Sequence, residues 1–402
     1  GLFMNKKGSS LLETRRLNRV SIKDTIYKME PVTRTDIARE IGLTLPTITT
    51  SVNEMLEEGI LEEVPLPENR LVSSVGRKPL AVRFKPKAAL AVGIELGPYA
   101  TRAVLMNMNG DVLRSSEEVS GDENYQIMVE KLARQIRSLV GESHSLNLLG
   151  VGIGLPGFID CDKGIVRSNP RKDWTGRKLT DDLEKLIRMP VKIDNNVRLR
   201  AIGYTMSCRG YKPDTFAYFY ISKGVACPLI VKDEVLSGHT SGAGEIGHTM
   251  ICVDSQGVSR QRSLDELVGE KTILKRCQMK MEQGGAEILS EIVRREGELG
   301  MKQVLEAQLQ KDEDVCSILQ EIIEYLGIAL ANVVNLINPG FVVVDGYIMK
   351  NDVNQRLLRQ AAGSKFYGLN EEEVSLVFRP FHHFYGAKGA AYFIIRRLFL
   401  EK

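Results

Sequence analysis

Little in this chain marks a secreted, membrane-spanning or polycationic protein. Its six cysteines, Cys161, Cys208, Cys227, Cys252, Cys277 and Cys316, are scattered without a Cys-x-x-Cys pair. That spacing argues against a zinc ribbon and against a disulfide framework, so free thiols in a reducing cytoplasm are expected. No apolar run approaches the roughly 20 residues of a membrane span, and the apolar part of residues 1–7 is too short for a signal peptide. Net charge is only +3, so nucleic-acid binding would have to come from a local patch. What is present is an ordinary globular composition, 43% hydrophobic and 26% charged. At 402 residues the chain exceeds one hydrophobic core, and two or three domains are expected.

Near the N-terminus, Ile22, Ile26 and Met29 recur at i, i+4, i+7, one buried helical face. Thr33 is placed to cap a second helix with Asp36 three residues on, and Gly42 suits its left-handed exit. Thr44 and Pro46 then open a third helix that buries Ile48, Val52 and Met55 and stops at Gly59. Two short helices around a tight glycine turn form a helix-turn-helix, whose second helix enters the major groove. The outward side of that helix offers Thr47, Thr49, Thr50, Ser51 and Asn53, hydroxyls and an amide that suit phosphate oxygens and base edges. It carries no arginine, so no bidentate guanine contact is expected from it. Ile60–Val64 and Ala81–Phe84 read as the two strands of a wing. Between them Gly76-Arg77-Lys78-Pro79 is a basic tetrapeptide, and Arg77 and Lys78 can reach a minor groove or phosphates.

From Ala89 onward the texture is α/β. Strands are read at 89–96 and 101–106, followed by a turn at Asn109-Gly110, a third strand from Val112, a helix over 125–140 and a strand at 148–154. The pattern restarts at 216–221 and 227–231, and ends in the apolar strand Phe341–Val344 before Asp345-Gly346. Two such halves describe an actin-like, ribonuclease-H-like fold. The domains are read as 1–87 for the winged helix-turn-helix, 88–198 with the returning helix 385–402 for a first lobe, and 199–384 for a second lobe holding ligand and oligomer contacts.

Specific strings sharpen the reading. The chain resembles the ROK family (repressors, open reading frames and kinases) in Gly242-Ala243-Gly244-Glu245-Ile246-Gly247-His248, with support from Gly152–Gly157, Ser168–Trp174, Pro190–Asn196 and Gly386–Ala391. The resemblance runs from about Leu17 to the C-terminus, and an N-terminal helix-turn-helix is the layout of the family's sugar-responsive repressors. It implies sugar contacts at Asn169, Asn195, Asn196, Glu245, His248 and Asp265, because amides and carboxylates bind adjacent hydroxyls in a fixed fork.

The departures from a kinase are as informative. Kinase members carry an aspartate general base where this chain has Asn196, and an amide cannot accept a proton near neutral pH. Asp194 lies two residues away, an offset that would not present it to the same hydroxyl. The family's Asp-Leu-Gly-Gly-Thr loop reads Glu95-Leu96-Gly97-Pro98-Tyr99 here, removing a backbone donor and adding bulk. The second phosphate loop reads Ser222-Lys223-Gly224-Val225-Ala226-Cys227-Pro228 and has lost its later glycines. Catalytic residues are therefore expected to be none, and no cofactor is expected.

The family also binds zinc through the histidine of its Glu-x-Gly-His string and three cysteines that follow. His248 is kept, but residues 253–267 contain no cysteine, and Ser263-Leu264-Asp265 stands where the third cysteine and a sugar-contacting glutamate would be. Cys252 alone cannot complete the site, so no metal is expected.

The expected function is a cytoplasmic repressor of carbohydrate-utilisation genes. Its partners are operator DNA and a sugar or phosphosugar effector, and it acts as a homodimer or dimer of dimers with no membrane partner. An active carbohydrate kinase with an added DNA-binding domain, and a repressor governed by a protein partner alone, are the alternatives. One consequence concerns metal: purified protein should contain well below one zinc per chain, and chelator should leave its Tm unchanged. Stoichiometric zinc by elemental analysis, lost together with stability on chelation, is the contrary result.

Overall fold

The computed structural model describes residues 10–71, 76, 78–142, 147–209, 212–370 and 372–402; of residues 252–255 it describes only the backbone. Contacts divide the chain into two units, residues 1–211 with 384–402 and residues 212–383.

The first unit opens with α1 (Leu11–Met29), α2 (Arg34–Ile41) and α3 (Leu45–Glu57). Thr33 caps α2 by accepting the Asp36 amide, Gly42 leaves it in the left-handed region, and Thr44 caps α3 by accepting the Thr47 amide. Strands β1 (Leu61–Pro65) and β2 (Leu80–Phe84) pair antiparallel as the wing. Three helices and a hairpin in this order are consistent with a winged helix-turn-helix, and Ile22, Ile26, Ile37, Ile48, Val52 and Met55 are buried together in it.

A 3-10 turn, Pro86–Ala88, leads into β3 (Leu90–Leu96), β4 (Ala100–Asn107), β5 (Val112–Val119), α4 (Tyr125–Val140) and β6 (Leu148–Leu155). Next come β7 (Phe158–Asp160), β8 (Ile165–Ser168), α5 (Leu179–Ile187), β9 (Val191–Asn195) and α6 (Asn196–Ser207). The main sheet has the order β5-β4-β3-β6-β9, with β3–β5 antiparallel and β6 and β9 parallel to β3. The expected first-lobe boundary at 198/199 would cut α6; its contacts place the whole helix in the first unit, and the division falls at 211/212.

In the second unit are β10 (Phe216–Ile221), β11 (Val225–Ala226), β12 (Leu229–Val231), β13 (Glu234–Val235) and the hairpin β14 (Met250–Ser255) and β15 (Val258–Ser263). Helices α7 (Leu264–Val268), α8 (Glu270–Glu282), α9 (Glu287–Glu296), α10 (Met301–Leu309) and α11 (Glu313–Ile337) follow, then β16 (Phe341–Gly346), α12 (Asp352–Gly363) and β17 (Ser375–Phe378). The sheet order β13-β12-β10-β16-β17 repeats the first unit's arrangement, three strands antiparallel and two parallel to the first. By length and composition α11 could cross a membrane. Here its apolar face, Val315, Ile318, Ile322, Leu326, Leu330 and Val334, is buried in the unit's own core.

The chain returns to the first unit through α13 (Tyr385–Ile395). This helix approaches the sheet closely because glycines meet it: a Cβ on Gly93 would lie 2.0 Å from the Ala387 carbonyl oxygen, and one on Gly152 2.2 Å from that of Ala390. Ala387, Ala391, Ile394, Phe399 and Leu400 share one buried cluster with the winged module's Ile22, Ile48 and Phe84. The winged module is thus part of the first unit's core.

Lys23 on α1 reinforces the join. It is buried, donates to the Phe399 and Lys402 main-chain oxygens at 3.0 Å each, and lies 4.9 Å from the Phe399 ring centre. Burial, with the Arg19 guanidinium nearby and Glu58 opposing, lowers its ammonium pKa to about 8. That is below the unfolded value of roughly 10.4, so the unfolded chain binds more protons in between and stability rises with pH across that window. Between pH 8 and 10, urea unfolding should show a gain on the order of 1–2 kcal/mol that Lys23→Met lacks. Parallel curves for both proteins would contradict it.

Candidate functional site

On α3 the structure exposes Thr47, Thr50 and Asn53 and leaves Thr49 and Ser51 half-buried at the flanks. The Thr47 and Thr44 hydroxyls are 2.8 Å apart, and the Thr50 hydroxyl donates to the Pro46 carbonyl at 3.0 Å. An arginine does reach this surface, from the neighbouring helix: Arg34 donates to Asn53 Oδ1 at 3.1 Å and to Glu63 at 2.9 Å. The sequence of α3 alone gave no sign of it. On the wing, Lys78 pairs with Glu68 at 2.9 Å, both exposed, a contact weak enough to exchange for a phosphate. Arg77 lies outside the described residues. Arg70 braces the wing by donating to the Met29 and Pro31 carbonyls at 3.0 and 2.9 Å.

The kinase-like residues of the first unit separate into spent and available groups. Asn169 donates to the Pro156 carbonyl at 2.8 Å and accepts the Arg171 amide at 2.9 Å. Asn195 donates to the Gly157 carbonyl at 2.9 Å and caps α6 by accepting the Val197 and Arg198 amides. Both side chains hold backbone in place. Asn196, half-buried in the first turn of α6, makes no side-chain hydrogen bond among the described residues. Gly154 leaves it room, since a Cβ there would fall 3.0 Å from the Asn196 Cα.

Asp194 is buried against the Arg198 guanidinium, 3.3 Å from both oxygens, and accepts the Asn195 amide at 2.7 Å. Burial raises its carboxyl pKa, with Arg198 and that amide opposing. Glu95 is likewise committed: Arg200 grips both its oxygens at 3.0 and 2.9 Å, with each side chain 5% exposed. In the loop after Glu95, the Gly97 amide donates to the Ala100 carbonyl at 3.0 Å, and Tyr99 is exposed. This loop closes on itself as a hairpin turn, and Pro98 adds no donor.

In the second unit, Glu245 and His248 are exposed, with carboxylate and imidazole 4.0 Å apart. Asp265 Oδ1 accepts the Val225 amide at 2.8 Å, while Oδ2 makes no hydrogen bond among the described residues. Glycine is required beneath it, since a Cβ on Gly247 would fall 2.1 Å from Oδ1. At the third-cysteine position Ser263 caps α7 in a capping box with Glu266. A serine spent as a cap does not fit a zinc ligand, and the segment before it is organised as the β14–β15 hairpin instead.

The Asn195 cap gives a direct test. Asn195→Ala frees two helix amides and the Gly157 carbonyl and should cost about 1–2 kcal/mol in denaturant unfolding. Asn195→Asp keeps the cap and should fall between the two; equal stability of all three would remove the structural role.

A family model described as the ROK family matches residues 91–397. The xylose repressor of Bacillus subtilis (strain 168) is 26% identical over 366 residues, covering 87% of this chain and 90% of that protein. Among solved structures, a ROK family transcriptional regulator described as a homolog of the E. coli MLC protein is similar with a TM-score of 0.78 at 19% identity, covering 96% of this chain and 97% of that one. A ROK family glucokinase from Streptomyces griseus, in complex with glucose and AMPPNP, reaches a TM-score of 0.64 at 20% identity over 75% of this chain and 98% of its own. With a twice-repeated sheet order and a family model spanning most of its length, the chain belongs to the ROK family.

Proposed function

We propose that this protein is a cytoplasmic, sugar-responsive repressor that binds operator DNA as a homodimer and does not phosphorylate sugar. The observation that carries this is the winged helix-turn-helix built into the core of the first unit. The name of the Bacillus subtilis relative, a xylose repressor aligned over 87% of this chain, supports the same reading. In a dimer, two copies of α3 would read the half-sites of a roughly palindromic operator. Thr47, Thr50 and Asn53 would meet bases or phosphates, with Thr49 and Ser51 at the flanks and Arg77 and Lys78 on the wing.

The sugar would be recognised without being consumed. In the first unit Asn196 offers an amide that can donate and accept. In the second unit Glu245 and His248 are exposed, and Asp265 keeps one oxygen without a hydrogen bond among the described residues. The non-kinase reading is supported by Asn196, an amide that cannot take a proton, by the arginines that engage Asp194 and Glu95, and by the Val225 amide's bond to the Asp265 carboxylate.

DNA selection with the full-length protein should enrich one palindromic sequence, whose affinity falls steeply with salt as counterions are released. Thr50→Ala and Arg77→Ala should weaken it, and Lys78→Ala should flatten the salt slope by about one. Recovery of no enriched sequence would sink the repressor reading. ATP turnover with xylose or glucose should stay at background, and Asn196→Asp alone should not rescue it. Turnover well above a Glu245→Ala control would restore the kinase alternative.

A further inference from the structure

Helix α6 begins at Asn196 and ends against the DNA-reading module. Its first turn is fixed by the Asn195 cap and the Asp194–Arg198 pair, and its middle by Arg200 on Glu95. Gly203 then meets α13 so closely that a Cβ would lie 2.7 Å from the Gly389 Cα. A 12-residue helix spans about 18 Å, and one held at these points is a stiff element.

At the far end, the Met206 carbonyl accepts the hydroxyl of Tyr27, a fully buried residue of α1, at 3.3 Å. Just past the helix, the Arg209 guanidinium stacks 4.4 Å from the centre of the Tyr27 ring, pairs with Glu30 and donates to the Met108 carbonyl at 3.2 Å. Glu30 in turn accepts the Phe84 amide of the wing at 2.9 Å. One arginine therefore joins the end of α6 to the end of α1 and, through Glu30, to the wing. It sits two residues before position 211, where the first unit's N-terminal stretch ends.

We infer that Arg209, clasped to Tyr27 and Glu30, is the positioning residue through which ligand occupancy at Asn196 reorients the DNA-reading helices by way of α6. This rests on the sugar-responsive reading above. A shift or rotation at Asn196 reaches Met206 and Arg209 undiminished if α6 is rigid. The clasp then leaves α1, and the α3 packed with it, no independent position. A clasp of purely structural use would stabilise the unit without linking the two binding events, and linkage is what separates the cases.

The test measures operator affinity by fluorescence anisotropy with and without D-xylose and D-glucose, using the full chain and the selected operator. In wild type one of these sugars should shift operator Kd by about tenfold or more, a coupling of usual size. Arg209→Ala should bind sugar in calorimetry and operator without sugar within about threefold of wild type, while the sugar-induced shift collapses below about threefold. Arg209→Lys, which keeps the charge but not the planar stack, should retain part of the shift. Tyr27→Phe, which removes the hydroxyl's bond to Met206 and its interaction with Arg209 but keeps the ring, serves if Arg209→Ala fails to fold, and should also reduce the shift. A full sugar response in the variants overturns the inference.

If wild type responds to neither sugar, the effector reading fails at that point, and hydrogen exchange decides the clasp separately. Bound DNA should slow exchange in residues 196–209 of wild type, and only in residues 10–88 of Arg209→Ala. No slowing over 196–209 in wild type overturns the coupling.

Discussion

The first unit is organised around a buried ion pair, Glu95 with Arg200. Two charges removed from water cost several kcal/mol each, and only near-ideal geometry offsets that. Here the guanidinium engages both carboxylate oxygens. The pair also forces a glycine at 386, because a Cβ there would fall 1.9 Å from the Glu95 carboxylate. The end of β3, the middle of α6 and the start of α13 are thereby fixed at one point. Whatever replaced either partner alone would leave an uncompensated charge in that junction. The same pair commits both oxygens of Glu95, the acid of the first loop, to Arg200.

Rigidity continues outward through small residues. Gly93, Gly152, Gly203 and Gly389 let α13 lie against two strands and against α6 at distances no larger side chain permits. The helical turn after α13, Arg396–Leu400, then supplies Phe399 and Leu400 to the core that holds α1, α3 and the wing. The winged module is joined to the first unit through this shared buried cluster. Excision of the winged module at 87/88 would accordingly expose apolar surface that the first unit now covers.

Local signals in the sequence were sufficient for local structure. Thr33, Gly42 and Thr44 announced their caps because capping chemistry is set within three or four residues. The helix 125–140 and strand 216–221 followed from periodicity, and their bounds match those in the structure. Long-range pairings were not legible: nothing near Arg200 points to Glu95, 105 positions earlier, nor does α3 announce Arg34. Asn169 and Asn195 showed the reverse difficulty. Amides at family positions suggested ligand contacts, yet their hydrogen bonds run to nearby backbone, which only coordinates reveal. The boundary at 198/199 misplaced α6 for a similar reason, since the helix belongs with strands that precede it by up to a hundred residues.

An amide at position 196 suits a sensor better than the carboxylate it stands in for. A general base at that position would activate the hydroxyl it touches, and a ligand that is chemically altered no longer reports its own concentration. An amide offers both a donor and an acceptor to a hydroxyl, so affinity can be kept while proton abstraction is lost. Its place in the first turn of α6 adds a second advantage. The Asn195 cap and the Arg198 pair already satisfy the polar groups around it, leaving the Asn196 side chain as the uncommitted member of that turn. A ligand bound there, as proposed above, would change the environment of a helix whose other end contacts α1 through Met206 and Tyr27.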